Sequence, residues 1–69
     1  MEIIEFSGLL KVHWPTATKM EGEASVQYET PDRTFRGSIG KNVIARMDTI
    51  AATAYLQRLK DKYDASNKG

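Results

Sequence analysis

Cysteine is absent from this 69-residue sequence, and histidine occurs once, at His13. The first absence excludes disulfides and thiolate metal sites, and the second excludes a histidine-rich metal cluster. No apolar run approaches the roughly 20 residues of a membrane span, and the N-terminus lacks the basic-then-apolar pattern of a signal peptide. We therefore expect a cytoplasmic protein with no cofactor, no metal ligand and no membrane partner.

A chain of this length holds one domain, which we place at residues 1–63, followed by a flexible tail at residues 64–69. Such a domain buries only about 60% of the surface that its unfolded chain exposes, so its core is marginal and self-association would stabilise it. Charge is divided unevenly: residues 1–32 carry two basic and six acidic side chains, and residues 33–69 carry eight basic and three acidic ones. The two halves either pack against each other or leave a basic surface for an acidic partner.

Residues 1–14 alternate between apolar and polar side chains, which predicts one strand, or two short strands with a bend at Gly8. The inward face of this strand would hold Ile4, Phe6, Leu10, Val12 and Trp14. Pro15 ends the extended segment. Residues 15–22 follow no clear period, so we expect a loop there.

Residues 23–30 and 33–39 also alternate, and they are separated by a proline and an aspartate, which are typical of turns. With those two residues at the tip, we expect a hairpin in which Tyr28 lies opposite Phe35 on the core face. The same face would hold Ala24, Val26, Gly37 and Ile39.

The period changes at Asn42, which is a good N-cap residue. Residues 43–63 contain no glycine or proline and are rich in alanine, which predicts one helix of roughly twenty residues. The predicted fold is therefore α+β: an antiparallel meander of three or four strands with one long C-terminal helix packed on one face.

The junction between strand and helix reads Gly37-Ser38-Ile39-Gly40-Lys41-Asn42 and raises the question of a phosphate-binding loop. A P-loop requires a glycine five residues before Gly40 and a hydroxyl residue after the lysine, but these positions hold Phe35 and Asn42. The GxxG loop of KH domains joins two helices, whereas here a strand precedes it. We interpret the glycines as a turn beside a helix N-terminus, where Lys41 and Arg36 would attract an anion.

The predicted helix carries more apolar surface than a flat sheet needs, because its apolar stripe shifts by more than a quarter-turn between its two halves. Either the helix crosses the sheet diagonally, or the stripe of its second half meets a second molecule. The residues that we predict at a protein interface, including that of a homodimer, are Trp14, Leu56, Leu59 and Tyr63.

Catalysis is not expected, since the nearest candidate group, His13, Glu23 and Ser25, comes with no oxyanion donors. We expect a non-enzymatic protein-binding module of the accessory or inhibitor type. The alternative is nucleic-acid binding, because three strands followed by a helix resemble the layout of small sheet-based DNA readers such as integrase arm-binding domains. The predicted outward sheet face is mixed to acidic and would repel phosphates. The basic residues that remain for such contacts are Arg36, Lys41, Arg46, Arg58, Lys60 and Lys62.

Overall fold

The computed structural model describes residues 1–67, with side chains described for residues 1–64. Its elements are α1 (Ile3–His13), β1 (Thr18–Glu21), β2 (Ser25–Glu29), β3 (Arg36–Gly40), α2 (Lys41–Arg46) and α3 (Thr49–Asn67). The strands form one antiparallel sheet in the order β1-β2-β3. The α+β class, the antiparallel meander and the long C-terminal helix are thus confirmed, and the described residues form no fourth strand.

The prediction of a strand at residues 1–14 is wrong, because this segment forms helix α1. Phe6, Leu10 and Trp14 are spaced four apart, and this spacing fits both one face of a strand and one face of a helix. The positions of Ile4 and Val12 distinguish the helix from the strand. The strand would direct both inward, whereas on the helix they lie away from the core and are 73% and 75% exposed.

Residues 15–22 were predicted as a loop but contain the edge strand β1. Backbone pairing holds this strand, from Thr18 opposite Glu29 to Glu21 opposite Val26. All four of its side chains are exposed. Because none is buried, the strand has no apolar alternation by which sequence analysis could detect it.

The hairpin of β2 and β3 is confirmed, but its register is displaced by two residues, so that Tyr28 lies opposite Gly37 and not opposite Phe35. The strands are closed by a bond of 3.0 Å from the Thr30 amide to the Phe35 carbonyl. A displacement of two leaves every side chain on its predicted face. The core face therefore buries Val26, Tyr28, Phe35 and Ile39 as expected.

The hairpin loop has four residues because its sequence does not suit a two-residue turn. The favoured two-residue turns need a positive φ at their first position, and the ring of Pro31 fixes φ near −65°. Arg33 takes the positive φ instead, at 63°. The Asp32 carboxylate accepts bonds from the amide and the hydroxyl of Thr34, at 3.1 and 2.8 Å.

The predicted single helix is interrupted at Met47 and Asp48, which separate α2 from α3. Met47 is extended, and the Asp48 carboxylate caps α3 by accepting the Ala51 amide at 2.7 Å. The predicted N-cap was also wrong: α2 begins at Lys41, and Asn42 lies inside it. Because each helix turns its own apolar side inward, the break accounts for the shift of the stripe and buries Ile44, Ala52 and Leu56.

Helix α3 continues to Asn67, beyond the end expected at residue 63. The predicted flexible tail, residues 64–69, overlaps the last turn of this helix, and residues 68–69 lie outside the described residues.

The helices pack together on one face of the sheet. The Phe6 ring of α1 lies 5.9 Å from the Tyr28 ring of β2 and 6.3 Å from the Tyr55 ring of α3. The buried hydroxyls of Ser7 and Tyr28 share a hydrogen bond of 2.8 Å. The α-ammonium group of Met1 donates to the carbonyls of Ile44, Ala45 and Met47 at the end of α2.

Candidate protein-binding groove

Strand β3 forms one edge of the sheet, and the pairing pattern shows which of its backbone groups point away from β2. In antiparallel strands, residues that hydrogen-bond across the ladder alternate with residues that do not. Phe35 bonds to Thr30, and Lys41 bonds to Ala24. The residues of β3 at odd positions therefore face β2, and the amide and carbonyl of Ser38 point outward from the sheet.

The second half of α3 lies beside this outward edge. The Tyr63 hydroxyl donates to the Arg36 carbonyl at 2.7 Å, so the helix is tied to the edge at one point. Tyr63 also packs edge-on against Phe35, with ring centroids 5.0 Å apart. This contact fixes the distance between helix and strand and leaves a groove between them, next to Ser38.

The floor of the groove opens into a cavity of about 180 Å³. Gly37 stands at its base, where any other residue would direct a side chain into the space between sheet and helix. Four of the eight residues that line the cavity are aromatic. Besides Gly37, the lining residues are Tyr28, Phe35, Ser38, Ile39, Tyr55, Leu59 and Tyr63. A cavity beside unpaired backbone groups can hold a side chain while the edge pairs with its backbone.

Burial raises the pKa of Tyr55 above its usual value, and it raises the pKa of Tyr28 in the same way. Both hydroxyls are therefore neutral at physiological pH. The Tyr28 hydroxyl is already paired with Ser7. The cavity thus presents uncharged walls, which suit an apolar side chain.

Two of the predicted interface residues, Leu59 and Tyr63, are half-buried and line this cavity. The other two lie in the core: Leu56 is fully buried, and Trp14 is only 4% exposed. Trp14 stacks on Phe35 with ring centroids 3.8 Å apart, so it supports the wall of the cavity from behind.

The predicted anion or nucleic-acid residues Arg36, Lys41 and Arg46 are not brought together. Arg36 begins β3 and lies 3.4 Å from Glu29 across the open face of the sheet. Lys41 follows the other end of that strand and pairs with Glu21 at 3.2 Å, which lowers the pKa of that carboxyl. Arg46 is exposed at the end of α2.

The remaining predicted basic residues lie on α3, on two different sides. Lys60 pairs with Asp64 at 3.5 Å, and its ammonium group lies 5.4 Å from the centre of the Trp14 ring. Arg58 and Lys62 are exposed, one helical turn beyond the cavity residues Tyr55 and Leu59. Neither residue lines the cavity, but each neighbours a lining residue on the helix surface, and we call the two the helix-side rim of the groove.

Sequence analysis missed the cavity beside the outward edge of β3 and the contribution of Tyr55. Gly37 and Ser38 belong to the candidate phosphate-binding segment, and the structure places them in the strand that borders the groove. The predicted meander already ended with this strand, so its edge position was implied, whereas the cavity between that edge and α3 was not. Tyr55 was not among the predicted interface residues, although it lies four positions before Leu59 and lines the same cavity.

Within residues 1–67, no helix is long and apolar enough to cross a membrane. The described side chains form no group of three or more potential metal ligands among histidine, cysteine, aspartate and glutamate. Comparison of the chain with family models, with curated protein sequences and with solved structures finds no match.

Proposed function

We propose that this chain is a non-enzymatic protein-binding module that receives an extended segment of a partner protein along the outward edge of β3. The observation that carries the proposal is the outward amide and carbonyl of Ser38 beside a cavity lined with aromatic rings. A strand added to a sheet edge gains backbone hydrogen bonds, and every second side chain of that strand reaches a pocket on the same face.

Comparison of the two edges of the sheet favours β3 over β1 as the binding edge. Strand β1 also has outward backbone groups, at Lys19 and Glu21, because its other residues pair with β2. Its side chains are all exposed, and Lys19 and Glu21 pair with each other at 3.7 Å. Charged residues on an edge discourage pairing with other chains. Strand β3 has only Arg36 as a charged residue, and glycine and serine follow it.

The alternative of nucleic-acid binding has weaker support. Three of its six basic residues, Arg36, Lys41 and Lys60, are engaged by carboxylates. The others lie on separate helices or on another side of α3, so they do not form the continuous basic stripe that phosphate binding favours.

The proposal is tested by selecting a displayed library of random nine-residue peptides on the immobilised protein and on its Ser38→Pro variant. Proline removes the outward amide of Ser38 without removing a bond of the β2–β3 ladder, so the fold should be retained. The matched control is Lys19→Pro, which places proline at an outward position of β1.

We expect peptides to be enriched on the wild type and on Lys19→Pro, and not on Ser38→Pro. Circular dichroism of all three proteins must show the same fold. Equal enrichment on the two proline variants, or none on the wild type above an uncoated surface, would refute binding at the β3 edge.

A further inference from the structure

We infer that the segment bound in this groove is acidic and inserts one large apolar side chain into the cavity between β3 and α3. This inference rests on the proposed function and specifies the chemistry of the partner. It follows from the volume of the cavity, from the charges on its rim, and from the alternation of side chains along an added strand.

The cavity sets the size of the inserted side chain. Its volume of about 180 Å³ exceeds the roughly 150 Å³ of an apolar cavity that accommodates benzene. A leucine, methionine or phenylalanine side chain therefore fits, whereas alanine leaves most of the space empty. Since the added strand directs alternate side chains to the helix face, only one residue of a short segment can enter the cavity.

The rim sets the charge of the segment. Arg58 and Lys62 lie on the helix side of the groove, both are exposed, and neither takes part in an ion pair among the described side chains. On the strand side, Arg33 and Arg36 are exposed near the hairpin loop, with Glu29 as their neighbouring acid. Because side chains of an added strand alternate, a carboxylate next to the inserted residue would face Arg36 on the open face of the sheet. A carboxylate two positions away would lie on the helix side, toward Arg58 and Lys62.

The same rim argues against a second copy of this chain as the occupant. In a symmetric dimer, β3 would pair with β3 across a two-fold axis, since such an interface uses the same surface of both copies. Each copy would then bring its own Arg58 and Lys62 to the same interface. Like charges placed together oppose association, whereas an acidic segment neutralises them.

The charge of the segment is tested with the peptides selected on the wild-type protein. We expect their sequences to be enriched in aspartate and glutamate, with one large apolar residue between them, when compared with the unselected library. Fluorescence anisotropy of the three most enriched labelled peptides then gives dissociation constants at low and at high salt. Binding that depends on the rim should weaken as salt increases.

Two double variants identify the responsible charges. Arg58→Glu with Lys62→Glu reverses the rim, and Lys11→Glu with Arg46→Glu makes the same change of net charge at exposed positions of α1 and α2. We expect the rim variant to bind about tenfold or more weakly, and the control to stay within about twofold of the wild type.

The outcomes separate the inference from the proposed function. Peptides that are enriched without acidic residues, or that bind the rim variant and the control equally well, would overturn the acidic segment while the β3 edge remains the binding site. Failure to enrich any peptide would overturn both. If the free wild-type protein elutes as a dimer and the Ser38→Pro variant elutes as a monomer, a second copy of the chain occupies the groove.

Discussion

Removing the buried hydrogen bond between Ser7 and Tyr28 tests the position of α1 on the sheet. Three variants are needed: Ser7→Ala, Tyr28→Phe, and the two combined. The hydroxyls are 2.8 Å apart, and the two residues are 9% and 3% exposed. If residues 1–14 formed the strand that their alternation suggests, Ser7 would lie on the outward face and could not reach Tyr28.

The two single variants should not cost the same free energy of unfolding. Ser7→Ala leaves the Tyr28 hydroxyl buried without its partner, which costs about 1–3 kcal/mol, and the better helix propensity of alanine offsets about 0.5 kcal/mol of this. Tyr28→Phe should cost less, about 0.5–1 kcal/mol, because the Ser7 hydroxyl can turn to the carbonyl of Ile3 one helical turn earlier.

The double variant should lose less stability than the two single variants together, because no buried hydroxyl is left without a partner on the sheet side. We expect a coupling free energy of about 1 kcal/mol. The measurement is urea unfolding, followed by circular dichroism and by the fluorescence of Trp14, the only tryptophan.

The control for this cycle is Ser25→Ala, at an exposed position of β2. It should change the free energy of unfolding by no more than about 0.5 kcal/mol. If Ser7→Ala behaves like this control, or if the losses of the two single variants add up in the double variant, Ser7 does not contact Tyr28 and the placement of α1 is wrong.

Three further predictions concern the hairpin, the base of the cavity and pH. Arg33→Gly should stabilise the protein by up to about 1 kcal/mol in thermal unfolding, because the φ of 63° costs an ordinary residue roughly 1–2 kcal/mol and glycine nothing; a loss of stability would contradict this turn. Gly37→Ala should lower the free energy of unfolding by about 1 kcal/mol, because the new Cβ would lie 3.3 Å from the Phe35 ring, which is stacked on Trp14. Gly8→Ala should instead stabilise α1, because its Cβ meets nothing within 4 Å. If urea unfolding shows Gly37→Ala to be the more stable of the two variants, both placements are wrong. Stability should fall as pH rises above about 10, because the raised pKa of Tyr28 keeps its proton bound in the folded protein while the unfolded chain releases it; an unfolding midpoint that does not change up to about pH 11 would contradict the burial of this hydroxyl.

The hairpin shows what the sequence could predict. Because side chains alternate with a period of two, a register error of two residues leaves each side chain on its predicted face. Val26, Tyr28, Phe35 and Ile39 are buried as their alternation indicated, although the pairing is displaced by two residues. The displacement itself was within reach of sequence reasoning. The fixed φ of Pro31 is incompatible with the favoured two-residue turns, and a longer loop follows from that alone.

Helix α1 could not be distinguished from a strand by periodicity, because its main core residues recur every four positions. Phe6, Leu10 and Trp14 then lie on one side in either structure. The positions that distinguish the two structures include Ser7 and Val12, and their side chains are tolerated both inside and outside. The burial of Ser7 depends on Tyr28, which is distant in sequence and offers a hydroxyl partner.

The candidate groove depends on contacts between residues that are distant in sequence, and a local sequence pattern cannot predict these. Its strand edge is free because β1 pairs with the other side of β2, and β1 has no apolar face. Its helix side depends on the break at Asp48, an N-cap without a neighbouring glycine or proline. Leu59 and Tyr63 were predicted as interface residues from helical spacing alone, and the structure places both beside the cavity.

The most direct test of the outward β3 edge is amide hydrogen exchange measured residue by residue by NMR. The account predicts that the Gly37 and Ile39 amides, which face β2, exchange slowly in the free protein, and that the Ser38 amide exchanges rapidly. On addition of a peptide selected on the wild type, exchange at Ser38 should slow by about tenfold or more. Protection of Ser38 equal to that of Gly37 in the free protein, or no change at Ser38 on binding, would contradict the account.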